Sequence, residues 1–233
     1  MINMKHKFGQ VIVIGLGGSI IYPDHLDIKF LSDFKKCIDG FVRRGMKFII
    51  VAGGGRVSRI YQEAASKITD VSDEDKDWLG IHATRSNAQL LRTIFHKNAD
   101  PVVIDTRRKI KKLKYPITIA SGWRPGWSTD FVALQLAHDF RVREIIVAGK
   151  PSHVFDKDFV KYKNAKPFTE ISWKNYRKLI PAKWRPGFHS PVDPVAARLA
   201  QSACISAIVI NGKDLKNFSN LLREKNFAGT IIS

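Results

Sequence analysis

Apolar residues recur along this chain in two alternating patterns: short unbroken runs, and longer stretches where they return every three or four positions. Val11-Ile12-Val13-Ile14, Phe48-Ile49-Ile50-Val51 and Pro116-Ile117-Thr118-Ile119-Ala120 are too short for helices and too continuous for strands with one wet face. Such runs predict strands buried on both sides. Strands are expected near 10–16, 47–52, 101–104, 116–120, 143–148 and 205–211, with a short last one near 228–232. The helical spacing predicts helices near 27–44, 55–68, 75–98, 129–139, 193–203 and 214–224. Strands alternating with amphipathic helices predict an α/β fold with a mostly parallel central sheet covered on both faces.

Two segments break the rhythm. Residues 149–170, with Pro151, His153, Phe155, Asp156, Asp158 and Tyr162, show no helical period. Residues 181–191, with Pro181, Trp184, Pro186, Gly187 and Pro191, read as a loop. No stretch is poor enough in apolar residues to be a linker, so one domain with two lobes is expected over 1–233.

Each of three strands runs into a glycine-rich turn and then a helix: Gly15-Leu16-Gly17-Gly18-Ser19, Gly53-Gly54-Gly55-Arg56, and Gly122-Trp123-Arg124-Pro125-Gly126-Trp127-Ser128-Thr129-Asp130. Glycine lets a turn expose its N–H groups, and a following helix adds the positive end of its dipole. In a parallel sheet all three turns fall at the carboxyl ends of the strands, where ligands collect. Three such turns suit a ligand set with several phosphates, which makes phosphoryl transfer the leading chemistry. Gly17-Gly18-Ser19 lacks the Lys and the longer spacing of a Walker A loop. The triplet is more specific, because three consecutive glycines call for close backbone approach or unusual dihedrals. Arg56 and Arg59 follow on one side of the next helix.

Composition adds a charge. Thirty-nine Lys and Arg against 21 Asp and Glu leave +18, which favours anionic ligands and could attract nucleic acid. The densest stretch, 107–114, also reads as a solvated surface segment, and no zinc-ligand spacing, helix-turn-helix or aromatic RNA-binding motif accompanies it. No apolar run approaches the roughly 18 residues of a membrane span. The basic start Met1-Ile2-Asn3-Met4-Lys5-His6-Lys7 leads into a first strand, not a signal peptide. Cys37 and Cys204 fall in apparent helices and read as buried reduced thiols of a cytoplasmic protein. His82, His153 and His189 have no metal-ligand spacing, and no metal site is expected.

The ordered motifs resemble the amino-acid-kinase superfamily, and within it the archaeal-type uridylate kinases. They are Gly-Gly-Ser at 17–19, Gly-Gly-Gly-Arg-x-x-Arg at 53–59, Asp-Trp-Leu-Gly-Ile-x-x-Thr-Arg-x-Asn-Ala at 77–88, Pro-Gly-x-Ser-Thr-Asp at 125–130 and Val-Asp-Pro-x-Ala-Ala at 192–197. Asn211-Gly212 and Gly229-Thr230 also fit. The resemblance implies a three-layer αβα sandwich with an acceptor-binding lobe over about 1–140 and an ATP-binding lobe over about 141–233. The implied reaction moves the ATP γ-phosphoryl group to UMP, with Mg²⁺ carried by the nucleotide. It implies ATP contacts from Gly17, Gly18, Ser19, Gly54, Gly55, Arg59, Phe155 and Asp158. UMP is expected on Gly53, Asp77, Trp123, Arg124, Pro125, Gly126, Trp127, Ser128 and Thr129. Asp130 would order the acceptor side, and Arg59 and Lys150 would supply positive charge to the transferred group. Family members are commonly hexamers built from dimers, so a homo-oligomer is expected.

Several of these residues also have plain structural roles open to them. Asp77 could cap a helix or sit as a surface charge, Ser128-Thr129-Asp130 contains an N-cap, and Trp123 and Trp127 could pack at subunit contacts instead of stacking on a pyrimidine. One stretch departs from the family. Where Thr-Asn-Val-Asp-Gly-Val-Tyr is usual, this chain has Gly149-Lys150-Pro151-Ser152-His153-Val154-Phe155. Two alternatives to the kinase of UMP therefore stand beside it: a non-catalytic nucleotide- or oxyanion-binding storage protein, and a kinase for another small phosphorylated acceptor such as isopentenyl phosphate.

Overall fold

The computed structural model describes residues 6–182 and 190–233. The basic Met1–Lys5 start, His189 and most of the 181–191 loop lie outside the described residues. In chain order the elements begin β1 (Val11–Leu16), α1 (Gly18–Ile21), α2 (Ile28–Val42), β2 (Lys47–Ala52), α3 (Gly55–Ile68) and α4 (Asp73–Ile94). They continue with β3 (Ile117–Ala120), α5 (Thr129–Asp139), β4 (Glu144–Gly149), β5 (Val154–Phe155), β6 (Pro167–Phe168), β7 (Glu170–Ile171) and α6 (Trp173–Leu179). The last are α7 (Pro194–Ala203), β8 (Ser206–Asn211), α8 (Leu215–Leu222) and β9 (Thr230–Ile232).

Among the described residues, one sheet of seven strands runs in the order β3-β2-β1-β4-β8-β9-β7, and β5 and β6 form a separate antiparallel pair. The first five strands of that order are parallel, while β9 runs antiparallel to β8. Alternate residues of each strand enter opposite cores, as the strand period requires. Ile12, Ile14 and Leu16 face α2, α4 and α8, where Phe34 meets Phe95 and Phe218 at ring-centroid distances of 6.2 and 6.0 Å. Val13, Ile49 and Val147 face α5 and α7 through Val132, Leu136, Ala196 and Ala200. The result is the expected αβα sandwich.

Topology places the site. From β1 the chain moves outward through β2 to β3, then returns to lay β4 on the other side of β1. The carboxyl ends of β1 and β4 therefore form a switch point, where an open α/β sheet leaves a crevice.

Three expectations differ from what is found. The strand near 101–104 is reduced to a single bridge, Ile104 to Ala120. Pro101 offers no N–H, and the N–H of Val102 goes to the Asp100 carboxylate at 2.9 Å, so no ladder forms. Helix α6 was not foreseen, because in its polar, Lys-rich seven residues only Trp173 and Tyr176 are buried. Cys37 is half-buried in α2, but Cys204 is exposed and ends α7 in the left-handed region (φ 52°). No helix among the described residues is long and apolar enough to cross a membrane.

Candidate active site

The glycine turns after β1 and β2 are packed backbone against backbone. A methyl group on Gly18 would sit 1.9 Å from the Gly55 nitrogen and 2.6 Å from the carbonyl carbons of Gly53 and Gly54. One on Gly55, whose φ is +68°, would sit 2.4 Å from the Gly18 oxygen. The triplet is thus explained both by close approach and by a left-handed dihedral. The Gly53 N–H donates to Leu16 O and the Gly17 N–H to Ala148 O, each at 2.9 Å, which locks the turns to the sheet end. Of the first N–H groups of α3, which have no intrahelical acceptor, that of Arg56 donates to Tyr22 O at 3.2 Å, and the rest leave the cradle donors and a helix dipole for an anion.

Helix α4 is the rail on which the site is mounted. Asp77, Gly80, Thr84 and Asn87 recur at spacings of three and four and share one face. The buried Asn87 amide donates to Gly53 O at 2.7 Å and Gly54 O at 3.2 Å, holding both carbonyls on its own side of the cradle. The buried Thr84 hydroxyl accepts the Gly122 N–H at 2.8 Å and donates to Ile81 O. Asp77 Oδ2 accepts the Gly126 N–H at 2.8 Å, where Gly126 turns with φ +79°. One helix therefore grips the glycine triplet at one end and the 122–126 loop at the other.

The loop's two tryptophans are used differently. Trp123 is buried in the core and its indole donates to Ile104 O at 3.3 Å, so its backbone, not its ring, is left to meet a ligand. Trp127 lies with its ring centroid 3.8 Å from the Arg124 guanidinium and 4.6 Å from the Phe131 ring. That stack of cation on aromatic on aromatic stiffens the loop. Pro125 lies between Arg124 and Gly126 in the same turn.

Ser128 caps α5 by accepting the Phe131 N–H at 3.0 Å. Its hydroxyl also donates to Asp193, whose other oxygen caps α7 by accepting the N–H groups of Val195 and Ala196 at 2.7 and 3.0 Å. Thr129 and Asp130 open α5. Asp130 lies over β1, since a methyl group on Gly15 would be 3.6 Å from its Oδ1. Desolvation first, and the Asp193 carboxylate second, push its pKa well above the ordinary carboxylate value. Behind them the buried Tyr176 hydroxyl donates to Val192 O at 2.7 Å and accepts the Val192 N–H at 2.8 Å.

On the other side of the crevice, Gly17, Gly149 and Gly212 converge at the ends of β1, β4 and β8. The Gly212 N–H donates to Gly149 O at 2.8 Å, and a methyl group on Gly212 would meet Ala148 at 3.0 Å. Lys150 is exposed just beyond β4. Phe155 stacks on Phe159 at 4.9 Å, while Asp158 turns the chain by accepting the Val160 N–H at 2.9 Å. The Thr230 hydroxyl accepts the Val154 N–H at 2.9 Å and donates to Phe168 O, tying the small β5–β6 ribbon to the main sheet. Ser19 is half-buried in α1. Arg56 is drawn outward to Asp24 at 2.9 Å, whereas the half-buried Arg59 has no ion pair among the described residues.

Sequence reasoning assigned no role to Asn87, Thr84, Tyr176 or Asp193. Asp193 before Pro194 carries a legible signal, an N-cap followed by proline in the first turn. Asn87 and Thr84 are polar groups inside an apolar helical stripe; nothing local says what they bond.

The chain matches the Amino acid kinase family over residues 10–211. It is 32% identical over 225 residues to a protein named uridylate kinase from Thermococcus sibiricus, with 95% of this chain and 98% of that protein covered. A uridylate kinase from Staphylothermus marinus is also 32% identical, with 96% and 98% covered. Among solved structures, the uridylate kinase from Archaeoglobus fulgidus is 25% identical with a TM-score of 0.81, over 95% of this chain and 99% of that one. The UMP kinase from Bacillus anthracis, 19% identical with a TM-score of 0.77 over 98% and 97%, shares the fold.

Proposed function

The chain belongs to the amino acid kinase family, and we propose that within it this protein is a uridylate kinase, transferring the γ-phosphoryl group of ATP to UMP to give UDP. The observation that carries this reading is the position of Asp130. Its carboxylate stands over Gly15 at the switch point, with the glycine cradle on one side and the 123–129 loop on the other. That position supports a role for Asp130 between donor and acceptor phosphates.

In this reading Gly18, Ser19, Gly54 and Gly55 hold ATP phosphates through backbone N–H groups, Gly17, whose own N–H is given to Ala148 O, borders the phosphates as the first residue of the turn, and Arg59 and Lys150 bring positive charge to the group in flight. Phe155 and Asp158 border the donor base. Gly53, Asp77 and residues 123–129 hold UMP, with Asp77 accepting from ribose hydroxyls through the oxygen that Gly126 leaves free. Asp130 orders the acceptor side. Catalysis is alignment of two anions together with charge neutralisation, with no covalent intermediate. Mg²⁺ carried by the nucleotide neutralises phosphate charge.

We assign the acceptor lobe to about 1–140 and the ATP lobe to about 141–233, in a cytoplasmic homo-oligomer. Helix α3 supports the oligomer: none of its residues is buried, and Ile60, Tyr61 and Ile68 are exposed on it. A hexamer is the largest assembly this reading takes from the family.

The test is incubation with Mg²⁺-ATP and, separately, UMP, CMP, dUMP, AMP and isopentenyl phosphate, following ADP and each product. UDP formed in preference to the others is the expected result. The Lys150-bearing segment favours a second reading, a nucleotide or oxyanion store. ATP bound with no acceptor phosphorylated would select it, and isopentenyl diphosphate as the main product would select the alternative acceptor.

A further inference from the structure

We propose that the end of the sheet opposite the glycine cradle binds single-stranded nucleic acid. At that end the β1–β4 ladder starts one residue into β4, at Val13 with Ile145, whereas the β1–β2 ladder begins at Val11 with Lys47 and the β4–β8 ladder at Glu144 with Ser206. A cavity of about 310 Å³ is lined there by the segment entering β1 and the segment entering β4. Phe8 and Phe140 line it with half-buried rings, and Lys7, Arg141 and Arg143 stand exposed among its lining residues. Glu144 also lines it and keeps Oε2 buried with no hydrogen-bond partner.

This is a mixed lining, and the mixture selects the ligand. Three cations suit phosphates. The Glu144 carboxylate, with Oε2 buried out of a ligand's reach, adds nothing to the attraction of a phosphate. Aromatic walls bind the faces of bases whatever their sequence. A polyphosphate or a lipid headgroup uses the cations and nothing else.

The positive charge continues beyond the cavity. The His6 ring bonds Leu221 O at 2.9 Å, joining the entry of β1 to the end of α8. There Arg44 and Arg223 each place a guanidinium 5.8 Å from the centroid of the same Phe41 ring. None of Lys7, Arg44, Arg141, Arg143 and Arg223 takes part in an ion pair among the described residues. Two like charges on one ring, beside three more at the cavity, form a track that a phosphodiester backbone can follow.

The experiment is fluorescence anisotropy of labelled mixed-sequence RNA and DNA strands of about 16 nucleotides, a length within single-stranded site sizes. Binding that weakens steeply with salt and persists in saturating ATP and UMP is expected. The double variant Arg141→Glu/Arg143→Glu should bind at least tenfold more weakly and flatten the log–log salt slope by about 1.4, about 0.7 for each phosphate no longer neutralised. Its thermal unfolding midpoint should match that of the parent, and if it does not, Arg141→Gln/Arg143→Gln replaces it in the same comparison. A base-free strand of equal charge should bind more weakly than the normal one. Unchanged binding by the variant overturns the proposal, as does loss of binding in ATP and UMP, which would put the strand in the kinase crevice. Equal binding of the base-free strand, or of anionic phosphatidylserine vesicles, reduces the face to plain electrostatics and overturns it too.

Discussion

The Ser128 hydroxyl donates to the Asp193 carboxylate, so the residue that caps α5 is held by the residue that caps α7. Two helix starts on one face of the sheet share a single polar link, and Asp130 lies two residues beyond it. Asp193→Ala removes the α7 cap and leaves Ser128 without its acceptor. A lost cap costs about 1 kcal/mol and a stranded buried partner about as much again. Urea unfolding should therefore show a loss of about 2 kcal/mol, and the KM for UMP should rise more than that for ATP. A variant as stable as the parent would mean that the link contributes nothing.

Asp130 couples stability to function in opposite directions. Its folded pKa is raised, so the folded state holds a proton that the unfolded state releases, and stability falls as pH rises from the ordinary carboxylate range through the folded value. Asp130→Asn removes that dependence. The variant should unfold at a higher temperature than the parent at pH 8, with the gap closing as the pH falls to about 3, below the ordinary carboxylate value of 3.8. Turnover should fall by about 100-fold or more, the scale of a lost electrostatic group, with ATP binding preserved. Equal loss of turnover and ATP binding would remove the assigned role.

The fold was legible because its signals are local and redundant. Val11–Leu16 and Lys47–Ala52 read as buried parallel strands, and their glycine turns located the sheet end that matters. The strand expected at 101–104 failed because Asp100 captures the Val102 N–H, a side-chain competition that apolar periodicity does not register. In the candidate site, the glycine turns could be named from the residues, and Asp130 from the family resemblance that the ordered motifs carry. Their supports could not: Asn87 reaches back 34 and 33 residues to Gly53 and Gly54, and Asp193 reaches 65 residues to Ser128. Such long-range pairs exist only after the sheet has assembled.

The two glycine environments make a matched comparison. Gly18→Ala would force a methyl group to within 1.9 Å of the Gly55 nitrogen, and backbone cannot move aside as a flexible side chain can. Its cost should exceed the about 1–3 kcal/mol typical of overpacking, leaving little folded protein at 37 °C. Gly126→Ala meets nothing within 4 Å and bears only the left-handed penalty at φ +79°, about 1–2 kcal/mol. Circular dichroism melts of the pair should differ widely, and similar melting points would mean that the two turns are not in contact.

Asp77 has two jobs that a pair of substitutions separates. Its Oδ2 pins the acceptor loop through the Gly126 N–H, and its other oxygen is assigned to the ribose. Burial raises its pKa, the Gly126 N–H opposes that rise, and Asp73 adds to it. Asp77→Asn keeps a carbonyl oxygen for Gly126 but loses the charge that strengthens a bond from a hydroxyl. Asp77→Ala loses both. If the ribose role holds, Asp77→Asn should raise the KM for UMP about tenfold with kcat nearly intact, the worth of one charge-assisted hydrogen bond. Asp77→Ala should lower kcat as well, because the loop is then unpinned before the phosphates align. An asparagine variant with parental KM and an alanine variant impaired in kcat alone would make Asp77 a loop anchor and leave the ribose to another group.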